Sequence, residues 1–259
     1  MRAVVTGASS GIGRDIARQL ASRGAELVLV ARREDRLTEL AAELPVRAEV
    51  YPCDLADPDA CVELHRCVSE RPVDILVNNA GFGVFGAFDE TDLQKELALI
   101  DVNIRAVHIL TKLFYRDFAA RGSGRILNVA SSAGFMPGPL LSSYYASKAY
   151  VLRLTEALHE ELRRMGSPVT VSAFCPGPVS TEFDAVADVR FSVRGISSER
   201  AAKAAVEGML RGRLVIVPGL QMKVAHVGSR LLPDRLMLRL TWHMQRRKMR
   251  DSSVGKEIP

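Results

Sequence analysis

Val4-Val5-Thr6-Gly7-Ala8-Ser9-Ser10-Gly11-Ile12-Gly13 joins an apolar run to an amphipathic stretch through three glycines. It reads as strand, tight turn and helix. Gly7 makes the turn without a Cβ clash, Gly11 lets the backbone approach a pyrophosphate, and Gly13 lets the helix sit close to the sheet. Ser9, Ser10 and Ile12 complete the turn, where free N–H groups and the positive helix end favour phosphate charge. The spacing is GxxxGxG rather than the commoner GxGxxG. A glycine-rich turn alone is a weak signal, and its place between a strand and a helix is what gives it weight.

Outward from this turn the same alternation continues. Runs rich in Val, Leu and Ile recur at Ala3–Val5, Leu27–Val30, Val46–Tyr51, Asp74–Val77, Arg125–Val129, Val169–Ala173 and Leu214–Val217. Helical stretches lie between them, at Ile12–Arg23, Glu34–Glu43, Asp92–Arg121 and Ser143–Met165. Near-continuous apolar strands separated by helices predict an α/β fold with a parallel sheet covered on both faces. With no internal repeat, low-complexity linker or composition break, one doubly wound Rossmann-type domain of about seven strands is expected over residues 1–219. Pro218-Gly219 closes the last strand, and residues 220–259 form a C-terminal helical extension of the same domain.

The end of the second strand bears on the cofactor. An NAD site usually carries an acid there for the ribose 2′-hydroxyl, and an NADP site a cation for the 2′-phosphate. Val30-Ala31-Arg32-Arg33 has no carboxylate, and Arg32, with Arg33 beside it, is placed to clamp a phosphate. The plain alternative is a pair of solvated arginines at a helix start, where positive charge is unfavourable. Glu34 is within reach of a ribose. NADP(H) is therefore expected ahead of NAD.

Tyr144 and Lys148 stand four residues apart in a helical stretch and share a face; four residues beyond Tyr145 lies Ala149. A free phenol, with a pKa near 10, is mostly protonated at neutral pH; an adjacent ammonium favours the phenolate and suits it to proton exchange. A bare YxxxK is common by chance, and its company matters more. Thr6-Gly7-xxx-Gly11-x-Gly13, Asn78-Asn79-Ala80-Gly81, Ser131 thirteen residues before Tyr144, Tyr144-xxx-Lys148 and Pro176-Gly177 occur in that order. Together they closely resemble the short-chain dehydrogenase/reductase family over roughly residues 1–219.

The resemblance implies hydride transfer at the nicotinamide C4, between a carbonyl and a secondary alcohol. It makes Tyr144 the general acid in reduction and the base in oxidation. Lys148 would lower the tyrosine's pKa and hold the nicotinamide ribose, and Ser131 would hydrogen-bond the substrate oxygen. Asn103 would support a proton-relaying water; it also fits a residue that ties down a bend in a long helix. Ser132 is the neighbouring rival to Ser131. By the same resemblance Asn79, Ala80 and Gly81 line the adenosine and Asp54-Leu55 contacts the adenine. Pro176 and Gly177 begin a loop over the nicotinamide, with Val179 and Thr181 near its carboxamide. Family members commonly form homodimers or homotetramers through two long helices, here Asp92–Arg121 and Ser143–Met165.

Beyond that loop, Glu182 to Ile196 carries Phe183, Val186, Val189, Phe191 and Val193, and Phe135–Leu141 is also largely apolar. A closing lid of this kind suits a lipophilic ketone. The net charge of +5 is concentrated near the C-terminus. Lys223, Arg230, Arg235, Arg239, Arg246, Arg247, Lys248 and Arg250 stand there against the single acid Asp234. Leu231–Arg250 reads as a helix interrupted early by Pro233, with Arg235, Arg239, Arg246 and Arg250 on one stripe and Leu236, Met237, Leu240 and Met244 beside it. It packs on the domain or a second subunit, contacts a membrane surface, or stays disordered. No nucleic-acid reading element accompanies the charge.

The four cysteines show no metal spacing and the five histidines no metal pattern, so no metal is expected and the thiols are read as reduced in a cytoplasmic protein. Met1–Val5 already reads as a strand and no stretch reaches the roughly 18 apolar residues of a membrane span, so neither a leader nor a spanning helix is expected. The competing readings are an NADP-binding regulatory scaffold without turnover and a peripheral membrane protein acting through its last helix.

Overall fold

In the computed structural model the structure describes residues 1–180, 195–229 and 231–251. Seven parallel strands form one sheet in the order β3-β2-β1-β4-β5-β6-β9. These are β1 Arg2–Thr6, β2 Glu26–Ala31, β3 Ala48–Pro52, β4 Ile75–Asn78, β5 Arg125–Val129, β6 Thr170–Phe174 and β9 Val215–Ile216. Each expected strand is present within about two residues of its predicted bounds. A short pair, β7 Val179–Ser180 and β8 Ile196–Ser197, runs parallel beside it. The fold is Rossmann-type.

Both faces of the sheet are covered, which is why its strands read as unbroken apolar runs. Ala3 and Val5 of β1, with Leu27, Leu29 and Ala31 of β2, join a core that includes Ile16 and Leu20 of α1 (Gly11–Ala21). Leu37 of α2 (Glu34–Glu43) and Ala205 of α7 (Ser198–Leu210) belong to the same core. Val4, Val28 and Val30 point the other way, toward Leu64 of α3 (Pro58–Val68) and toward Leu110 and Phe114 of α5 (Val107–Arg121). The alternation is the two-residue period of a strand sorted between two helix layers.

The expected helix over Asp92–Arg121 is not continuous. It consists of α4 (Leu93–Ile100), a π-helical turn at Asp101–Ala106, and α5. The wider turn carries Asn103, fully buried. α6 (Ser142–Arg164) brings in Tyr144 and Lys148. A buried polar chain seats α6 on the sheet: Asn78 donates to Thr111 and to Asn128 at 3.0 and 2.9 Å, and Asn128 donates to Thr155 of α6 at 3.0 Å.

After β9 come α8 (Leu220–Ser229) and α9 (Asp234–Asp251). The last helix starts after Pro233, not at Leu231, since proline suits a helix start and not its interior. Of the expected apolar row only Met237 is buried, together with the polar Thr241 and Gln245; Leu236, Leu240 and Met244 are exposed.

Candidate active site

The strand order reverses between β1 and β4, and the crevice outside their carboxyl ends is where a doubly wound sheet receives ligands. Here it opens into a cavity of about 1390 Å³. Gly7, Ser9, Ser10, Gly11 and Ile12 line one wall, with Arg32 and Arg33, Asp54 and Leu55, and Asn79, Ala80 and Gly81. Ser131, Tyr144, Lys148, Pro176, Gly177 and Val179 line it further along. Gly13 and Asn103 stand just behind the wall, and Thr181 and residues 182–194 of the expected lid lie outside the described residues.

The glycine turn is tight for stated reasons. Gly7 and Gly11 have φ of +65° and +54°, which disfavour any side chain. A Cβ on Gly13 would sit 2.3 Å from the Gly7 carbonyl oxygen and from the Asn79 amide nitrogen. The close approach at Gly13 is thus to the turn and to the end of β4. Thr6 locks the same junction: its buried hydroxyl donates to the Val77 carbonyl at 3.2 Å and accepts the N–H groups of Asn79 and Ala80 at 2.9 and 3.1 Å. Asn79 returns two bonds to the carbonyls of Thr6 and Gly7.

Two observations fit a nicotinamide dinucleotide to this wall. Ser10 occupies the N-cap of α1 without capping it through its side chain, and the first turn holds no acid, so backbone N–H groups face a phosphate position. At the end of β2, Arg33 reaches the hydroxyls of both Ser9 and Ser10 at 3.1 Å, spanning the mouth of the turn, while Arg32 is exposed on the rim. Asp54 accepts the Ala56 N–H in a local turn, which leaves Leu55 buried against the cavity.

At the inner end Tyr144 is half-buried and hydrogen-bonds the Ser131 hydroxyl; desolvation of the phenol pushes it above the ordinary tyrosine range and Ser131 draws it partly back. Lys148 lies 5.8 Å from the centre of the Tyr144 ring and donates to the Val129 carbonyl at 2.9 Å. Burial holds this ammonium down at about 8, with Cys175 opposing. Asn103 accepts the Phe82 N–H at 3.1 Å and donates to the Phe82 carbonyl at 2.9 Å and to Ser147 at 3.0 Å. Its Oδ1 and the Lys148 ammonium both flank Gly81, where a Cβ would lie 2.9 and 3.3 Å from them. Ser131, not Ser132, reaches the phenol; the Ser132 N–H is tied to the Pro176 carbonyl at 2.8 Å.

The short chain dehydrogenase family model matches residues 1–189. The chain belongs to the short-chain dehydrogenase/reductase family. It is an NAD(P)-dependent oxidoreductase of that family. A putative ketoacyl reductase of granaticin polyketide synthase from Streptomyces violaceoruber is 43% identical to this dehydrogenase/reductase over 188 residues, 69% of this chain and 68% of the relative. A short-chain dehydrogenase from Sphingobium yanoikuyae in complex with NADPH superposes with a TM-score of 0.80 at 32% identity, covering 99% of this chain and 98% of that one. The bulky-bulky ketone specific alcohol dehydrogenase from Comamonas testosteroni gives a TM-score of 0.74 at 30% identity, over 100% of this chain and 96% of the other.

Several lining residues of this dehydrogenase/reductase escaped sequence reasoning. Tyr145 faces the cavity, as do Met222 of α8 and Met237, Leu240, Thr241 and Met244 of α9. Met222 packs so closely on Gly177 that a Cβ there would lie 2.5 Å from its sulfur. No spacing rule ties α8 and α9 to the Tyr-Lys pair; the only usable signal was the apolar row of the last helix. Among the described residues no helix is long and apolar enough to cross a membrane.

Proposed function

We propose that this protein is an NADP(H)-dependent reductase of lipophilic ketones, with the reverse alcohol oxidation on the same residues. The observation that carries this reading is the convergence of Ser131, Tyr144, Lys148 and Asn103 at the inner end of a cavity whose outer part is apolar. The NADPH complex of the Sphingobium relative and the bulky-ketone specificity of the Comamonas relative support the two halves of the assignment.

When bound, the nicotinamide supplies or accepts a hydride. The chain's residues do the remainder. Arg33, with Arg32, would hold the 2′-phosphate, the N-terminus of α1 the pyrophosphate, and Lys148 the nicotinamide ribose. Tyr144 gives its phenolic proton to the carbonyl oxygen as negative charge develops there, and Ser131 donates a hydrogen bond to the same oxygen. The nearby Lys148 ammonium stabilises the resulting phenolate, and Asn103 anchors the Gly81–Phe82 backbone beside it. The apolar walls exclude water during transfer.

NADPH and NADH titrations followed by fluorescence, then a ketone panel, test the reading. NADPH is expected to bind more tightly than NADH, and Tyr144→Phe to keep binding while losing turnover at least 100-fold. Binding of neither cofactor sinks the assignment. Exposed Leu93, Leu97 and Ile100 on α4 and Tyr150 on α6 support pairing of two copies through these helices. Exposed Leu236 and Leu238 beside Arg235, Arg239 and Arg246 support peripheral contact of α9 with a lipid surface.

A further inference from the structure

Tyr145 is next to the reacting tyrosine and is not needed by the chemistry above. It stands in a wall shared with Met136, Leu141, Met237, Leu240 and Met244 and with the polar Thr241 and His243. Its ring is seated firmly: a Cβ on Gly138 would come within 2.3 Å of it, and it meets the Tyr144 ring edge-on with centroids 6.1 Å apart. The phenol oxygen accepts the amide N–H of Gln245 at 2.6 Å, across a separation of 100 residues.

That bond leaves two things undone. The Gln245 side chain is only 1% exposed, and its Oε1 has no hydrogen-bond partner. The Tyr145 oxygen is occupied as an acceptor, while its own proton meets no acceptor among the described residues. Were the amide turned over, Oε1 would take the phenolic proton and the amide nitrogen would become the orphan. That turn would spend the phenolic proton inside the protein; in the orientation the structure shows, the proton is unspent and Oε1 is left unsatisfied behind the wall, a cost that folded proteins rarely carry without cause. Thr241, one turn before Gln245, does not complete the pair, because its hydroxyl is spent on the Met237 and Leu238 carbonyls of its own helix.

Resting on the reading of the site as a ketone reductase, we propose that Tyr145, held by Gln245, is a specificity residue that donates a hydrogen bond to a second oxygen on the substrate. The preferred substrate is then not a plain ketone but an apolar molecule with a further acceptor a few bonds from the reacting carbonyl, such as a 3-oxo ester or thioester. The geometry sets the spacing. Ser131 and Tyr144 hold the reacting oxygen, and the Tyr145 ring lies next to the Tyr144 ring, so the second acceptor is close to the first. The rest of the wall mainly rewards apolar bulk, since the Thr241 hydroxyl is spent on its own helix and the His243 Nδ1 pairs with the Arg239 carbonyl at 2.8 Å. A donor whose partner is missing discriminates more strongly than an apolar surface does, because a substrate without the acceptor leaves it unpaired.

Ethyl 3-oxohexanoate and nonan-4-one test this, since both carry the ketone at the same place in a chain of equal length and only the first has a second carbonyl. Equilibrium binding can be read from Trp242, the single tryptophan, which lies on α9 one residue from the cavity-lining Thr241. Tyr145→Phe keeps the ring on Gly138 and is expected to weaken the oxo ester about tenfold while leaving the ketone within twofold. Gln245→Leu should reproduce part of the loss, and the double variant should be no worse than Tyr145→Phe. In turnover, the loss for the oxo ester should appear in KM with kcat kept. Equal weakening of both probes, or of neither, overturns the proposal. Failure of the underlying reading is a separate result: wild-type protein that binds the probes but consumes no NADPH with either.

Discussion

Replacing Thr6 by valine tests how the cofactor crevice is held together. The exchange is nearly isosteric, so it opens no cavity, and valine suits a central strand. What it removes is the hydroxyl that accepts the N–H groups of Asn79 and Ala80 at 2.9 and 3.1 Å. A buried donor stripped of its acceptor costs roughly 1–3 kcal/mol. These two are partly buried, so the lower half of that range applies and the pair amounts to about 2–4 kcal/mol. At roughly 2–4 °C per kcal/mol for a chain of this size, the melting temperature should fall by about 5–15 °C. Thr6→Ser keeps the hydroxyl and should lose much less. Thermal unfolding by circular dichroism, paired with NADPH titration, gives the answer. If Thr6→Val melts within about 2 °C of the wild type, or if serine is as harmful as valine, the hydroxyl does not hold β1 to the end of β4.

Other perturbations follow from the same geometry. Arg33→Ala removes a charge-assisted contact of about 1.5–3 kcal/mol, so NADPH affinity should fall roughly 10- to 100-fold with NADH nearly unchanged; equal losses in a fluorescence titration would count against a 2′-phosphate clamp. Burial holds Lys148 at about 8 against 10.5 for the free side chain. The unfolded chain therefore keeps a proton that the folded chain sheds between these values, and the cost of burying the charge, about 3 kcal/mol, applies in full below pH 8 and fades above it. Urea unfolding should show the wild type gaining most of that on Lys148→Met between pH 7 and 10, whereas parallel curves would refute it. Leu236→Asp should cut sedimentation with anionic vesicles at least tenfold if α9 lies on lipid, and identical partitioning would dismiss that contact.

Much of this was legible because both sheet faces are buried: runs such as Leu27–Val30 admit little else. The glycine turn, Tyr144 and Lys148 were legible for a related reason, being tied to fixed offsets along one strand or helix. The break in Asp92–Arg121 was legible only as a bend that Asn103 could tie down, not in its form. It depends on Asn103 bonding the Phe82 backbone, a partner that helical periodicity does not sense. Strands of two residues such as Val179–Ser180 are too short to show a period. The last helix misled for a different reason. Pattern reading turns polar residues outward, yet Thr241 faces inward with its hydroxyl spent on its own helix, and Gln245 faces inward onto Tyr145, far back in the chain.

The Tyr145–Gln245 bond also orders events in time. The lining of the nucleotide crevice runs from Gly7 to Val179, whereas the wall of α9 leaves the ribosome later. A nascent chain can thus complete its dinucleotide cleft, with α7 and β9 packed beneath it, while the cavity still lacks the side that α9 supplies. The same separation makes the segment after Gly219 a cassette whose exchange would remodel that side of the cavity while keeping the lining residues from Gly7 to Val179.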